Sequence, residues 1–159
     1  MSPAIPAQRL HALNTGRVPA THLAECLAVD FVALLQVVAP VLAPEVLQRM
    51  RDASGKGITL RMALAAQLLR EAGQGAPALW QHHNSDTVRG WACFLVGASP
   101  DVSLQARLDR IRPLGDDAQF GVREWARYGR GPRTHPSVCA VSPANPCVRA
   151  GSGAPTSRR

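Results

Sequence analysis

At 159 residues the chain is long enough for one packed domain, and 46% hydrophobic against 4% aromatic residues implies a core of Leu, Val and Ala, a mixture suited to helices rather than a β-sandwich. The formal charge of +7 is uneven: residues 1–126 carry 12 Lys plus Arg against 11 Asp plus Glu, and residues 127–159 carry six Arg and no acid. No apolar run is long enough to span a bilayer, and there is no secretory h-region, Gly-rich phosphate loop, Ser-His-Asp grouping or GxSxG, which argues against membrane, nucleotide-binding and hydrolase classes and for a cytoplasmic all-α protein.

In chain order, residues 1–17 read as an N-terminal leader, and residues 18–128 as a helical domain. Thr21 is placed to cap HLAECLAV and Asp30 to cap FVALLQVVA, which Pro40 ends; Pro44 suits the first position of PEVLQRMRDA. Gly55 and Gly57 break the chain before Thr59 starts LRMALAAQLLREAG, with Leu60, Leu64 and Leu68 on one face and Arg61, Gln67, Arg70 and Glu71 largely away from it. A short helix over Pro77–His83 leads to Asp86, the expected cap of TVRGWACFLVG, where Val88, Trp91, Ala92 and Leu95 form a stripe and Cys93, Phe94 and Val96 widen it into a buried helix. SLQARLDRIRPLG follows, with Leu104, Leu108 and Ile111 inward and Pro113 as a stop, and Asp116 and Asp117 open AQFGVREWARYG.

Beyond Arg127 the residues 129–159 contain no Leu, Ile, Phe, Met or Trp. Such a composition reads as a disordered basic tail, or as GC-rich DNA translated out of frame, and the single Lys among 17 Arg fits a GC-rich origin as well as phosphate binding.

One pattern repeats. Val88-Arg89-Gly90-Trp91-Ala92 returns as Val122-Arg123-Glu124-Trp125-Ala126, offset by 34 residues at all four shared positions, the length of one antiparallel helix pair with its turns. In stacked helical repeats an Asp opening the second helix can cap it, while an Arg inside can pair with the Asp of the neighbouring repeat. Asp117 and Arg123 fit that spacing; the earlier copy has His83 six before Arg89 and Asp86 only three before.

These features resemble HEAT repeats, and the strings SDTVRGWA and IRPLGDD…FGVREWA resemble bacterial DNA alkylation repair proteins of the HEAT-like AlkC/AlkD alkylpurine glycosylase group, over about residues 10–126. The resemblance implies a short α-solenoid cradling duplex DNA. It implies glycosylase chemistry only for a longer chain, because the repeats expected after REWA are replaced by the tail, so no catalytic residue and no cofactor is assigned. Excision of a cationic base needs a carboxylate and π surfaces, for which Asp86, Glu124, Trp91 and Trp125 are the candidates, with capping, solvation and repeat packing as their structural alternatives. Arg89 and Arg123 are the candidate nucleic-acid contacts, set against inter-repeat salt bridging. A protein partner on the concave face, or a fragment of a longer repair protein with no function of its own, are the alternatives. Cys26 and Cys93 read as small core residues, His82-His83-Asn84 as a capping turn, and Cys139, Cys147 and His135 lack zinc-site spacing, so no metal is expected.

Overall fold

The computed structural model describes residues 4–99 and 102–130, and the proposed tail from residue 131 onward lies outside them. Among the described residues the chain is all-helical: eight α-helices, two single 3-10 turns and no strand.

The first helix, α1 (Ala7–Asn14), occupies the segment expected to be a leader. It docks for two reasons invisible to periodicity: Leu13 is buried, and Arg9 forms a bidentate pair with Glu25 at 2.7 and 2.8 Å while donating to the Pro19 carbonyl at 2.8 Å. The folded unit therefore begins before residue 18.

Helix α2 (Leu23–Ala28) is capped by His22, whose Nδ1 accepts from the Glu25 amide, and not by Thr21. Thr21 is spent on the Glu25 carboxylate through both its amide and its hydroxyl. Asp30 caps α3 (Phe31–Val38) as expected, accepting from Val32 and Ala33, and Pro44 opens α4 (Pro44–Asp52).

Helix α5 (Ile58–Glu71) starts at the Gly57 boundary, one residue earlier than Thr59. Its inward stripe is Met62, Ala65, Ala66 and Leu69 with Leu68, while Leu60 is 45% exposed. Both rows have helical spacing, so periodicity alone could not choose between them. Packing against α6 chooses the row with the two alanines, and Arg61, expected to point away, lies with its guanidinium carbon 4.9 Å from the Phe31 ring centroid.

Only Pro77–Leu79 forms a 3-10 turn of the helix expected to reach His83. Helix α6 (Asp86–Gly97) is the centre of the molecule, packed by α5, by α7 (Leu104–Gly115) and by α8 (Phe120–Trp125). Val88, Trp91, Ala92, Cys93, Leu95 and Val96 are all buried, each large one contributing about 1.5–3 kcal/mol of burial. Gly90 lies beneath both α5 and α8: a Cβ there would run into Met62 and would meet Trp125 Cδ1 at 2.9 Å.

In α7 the buried positions are Ile111 and Leu114, with Leu104 exposed. Pro113 does not stop this helix: the Asp116 amide still donates to the Arg112 carbonyl at 3.2 Å, and the ring sits on the exposed side. A final 3-10 turn, Tyr128–Arg130, packs onto α6 and α7.

Candidate functional site

The two Val-Arg-x-Trp-Ala segments fall at equivalent places, in α6 behind its N-cap Ser85 and in α8 behind its N-cap Gln119. Arg89 Nη1 donates to the His83 and Asn84 carbonyls at 2.6 and 3.0 Å. Arg123 Nη1 donates to the Asp117 and Ala118 carbonyls at 2.6 and 2.9 Å. Each arginine thus reaches back six and five residues to staple the turn that feeds its own helix. The repetition in sequence is a repetition of this clasp.

The copies diverge at the rest of the guanidinium. Arg89 Nε and Nη2 grip Asp117 Oδ2 and Oδ1 at 2.7 and 3.0 Å, and both side chains are 13% exposed. A fork-to-fork pair so shielded from water is a strong charge-assisted contact. Asp117 also does the local job expected of it, since Oδ1 accepts from the Gln119 amide at 2.8 Å, although the helix proper starts three residues on. The Asp-Arg pairing foreseen between neighbouring units joins Arg89 to Asp117. Arg123 is exposed, and among the described residues its Nε and Nη2 donate to nothing.

As a nucleic-acid contact Arg89 is therefore poorly placed, because a phosphate would have to displace Asp117 from its two bonds to the guanidinium. Arg123 has donors to offer. His83, the counterpart of Asp117, uses Nδ1 to accept the Ser85 amide at 3.0 Å, and burial beside Arg89 holds its pKa below the ordinary histidine value, so the neutral ring completes the capping turn.

The excision candidates separate in space. Trp91 is sealed in the core with its ring 5.9 Å from Phe31, and Glu124 is exposed and paired with Arg127 at 2.9 Å. Asp86 is not the cap of α6; Ser85 is, and Asp86 is buried, accepting from the Ala20 amide at 2.9 Å and from the Cys26 thiol at 3.7 Å. Trp125 is half-buried in a cluster with Phe94 and Tyr128, centroids 5.9 Å away in each case.

Asp86, Trp125 and Cys26 nonetheless converge on Gly121, where a Cβ would lie 3.6 Å from Asp86 Oδ2, 3.9 Å from Trp125 Nε1 and 4.0 Å from Cys26 Sγ. Sequence reasoning missed this meeting because 60 residues separate Cys26 from Asp86. Its chemistry is quiet. Burial first, then the neighbouring Asp86, push the Cys26 thiol up to about 12, so no thiolate forms near neutrality, and the carboxylate is held by a backbone amide.

A cavity of about 350 Å³ opens elsewhere, lined by Asp30, Phe31, Met50, Arg51 and Arg61, away from these groups. Among the described residues no three His, Cys, Asp or Glu side chains are grouped to hold a metal ion, and no helix is long and apolar enough to cross a membrane. Cys139, Cys147 and His135 lie outside the described residues. No known protein family matches the chain, and neither a curated protein nor a solved structure shows significant similarity to it.

Proposed function

We propose that this chain is a HEAT-like helical-repeat module, of the kind the DNA alkylation repair resemblance implies, and that it acts by docking rather than by catalysis. The repeated clasp carries this reading: Arg89 staples its own turn and ties the α5–α6 unit to the α7–α8 unit through Asp117, which is how stacked units are joined. The α7–α8 unit presents the same staple at Arg123, and its Trp125 and the following Tyr128 form an aromatic cluster with Phe94 of α6. Neither acid candidate is set up for excision, since Asp86 is buried and already hydrogen-bonded and Glu124 is an exposed helix charge paired with Arg127.

Hydrogen exchange of the full chain tests docking. Amides of α6 should exchange slowly and those of residues 120–128 fast, and a helical hairpin peptide copying residues 102–126, with its own Trp125→Ala, should slow residues 120–128 selectively. Protection spread elsewhere, or none, sinks the reading.

Nonspecific binding of duplex DNA is a second reading, favoured by the six arginines and absence of acid in residues 127–159. Its signature is affinity that falls steeply with salt, with a log-log slope of about −0.9 per phosphate neutralised. A flat salt dependence removes it.

A further inference from the structure

We infer that the open fork of Arg123 is a socket for a carboxylate, and that the partner it fits is a helix pair presenting Asp or Glu in the turn before its second helix. This rests on the docking reading and adds the chemistry of recognition. The precedent is internal: Arg89, in the equivalent place, spends Nη1 on two carbonyls and the remaining two nitrogens on Asp117, the acid in that very turn of the following unit. Arg123 makes the same two carbonyl bonds.

The residue 34 after Asp117 is Gly151, and no Asp or Glu occurs after Glu124, so residues 127–159 contain no side chain that could fill the role. Charge complementarity therefore points to a segment outside this sequence. At the same end of the described chain Tyr128 is 43% exposed and stacks on Phe94 at 5.1 Å, a separate apolar surface suited to a partner helix. Glu124 stands where Gly90 does, so the partner helix must sit farther out than α8 sits on α6, and Glu124 is itself neutralised by Arg127.

The probe is a labelled peptide of residues 102–126 carrying Trp125→Ala to clear Glu124, stapled across the exposed positions 105 and 109 and shown to be helical by circular dichroism. It is titrated into the full chain by fluorescence anisotropy. Saturable binding is expected, weakened about tenfold by Asp117→Asn in the peptide or by Arg123→Ala in the chain, with both changes together no worse than either alone. The Asp117→Asn arm does not depend on how the chain tolerates its own substitution.

Binding that is indifferent to Asp117→Asn would overturn the carboxylate socket while leaving docking intact. Failure of the helical peptide to bind would overturn both. Salt-dependent duplex DNA binding that is weakened by Arg123→Ala, with peptide affinity unchanged, would assign the arginine to phosphate and overturn the socket.

Discussion

Trp91 and Trp125 hold the same position in two copies 34 residues apart, yet Trp91 is sealed from water and Trp125 is only half-buried. Their arginines show the same contrast: both staple the preceding turn, and only Arg89 is closed by a carboxylate. The local device is written in the five-residue motif, but for Arg89 its completion comes from Asp117 in the turn between the next two helices. Apart from Gly90 against Glu124 and His83 against Asp117, the copies differ chiefly in their neighbours, and substitutions at paired positions measure how much a neighbour contributes.

The largest difference is expected at the tryptophans. Trp91→Ala leaves a cavity in the core and should cost about 3–5 kcal/mol in urea denaturation, against about 1–2 kcal/mol for Trp125→Ala. Near-equal costs would mean that the second copy is as enclosed as the first.

Next come the arginines: Arg89→Ala should cost about 2–3 kcal/mol because it strands a shielded Asp117, and Arg123→Ala less than about 1 kcal/mol because it removes only bonds to carbonyls that water can reach. At the position between, Gly90→Ala should cost about 1–3 kcal/mol by overpacking against Met62 and Trp125, in spite of alanine's better helix propensity. Glu124→Ala should stay within about 0.5 kcal/mol. A stabilising Gly90→Ala would show that α5 and α8 do not approach α6 as closely as described.

A separate, pH-dependent effect lies in the acid limb and belongs to neither copy. The Arg9 guanidinium, outweighing burial, lowers Glu25 to about 2, so its contribution to stability is full above the ordinary carboxylate range near 4.5 and is lost as pH falls from there toward about 2. Glu25→Gln should flatten that limb in a stability-versus-pH series. An unchanged limb would place the acid sensitivity elsewhere, outside the contact of α1 with α2.

Much of the helical order was legible from caps and breakers: Asp30 and Pro44 act where local chemistry says they should. The failures have physical causes. Leu60 lost to Met62 because two stripes of equal period competed and only the neighbouring helix could decide between them. Pro113 failed to stop α7 because its ring faces solvent and the chain closes one more turn beyond it. The docked α1 was illegible since it is fastened by an ion pair 16 residues away, and local patterns carry no such information.

Within the site, the 34-residue offset and the Arg-Asp tie were readable, because both depend on spacing. The burial of Asp86 under Ala20 and its approach to Trp125 were not, since they come from contacts spanning most of the chain. The same long-range contacts make Asp86, one of the two acid candidates, a buried hydrogen-bonded group.

The central claim is that the two clasps share a backbone device and differ by one carboxylate. Arg89 and Arg123 both touch residue 117, the first through its side chain and the second through its backbone carbonyl. Two double-mutant cycles in urea denaturation, pairing Asp117→Ala with Arg89→Ala and with Arg123→Ala, read that distinction directly. The account predicts a coupling of about 1–3 kcal/mol in the first cycle and within about 0.5 kcal/mol of zero in the second. Equal couplings, or none with Arg89, would contradict it.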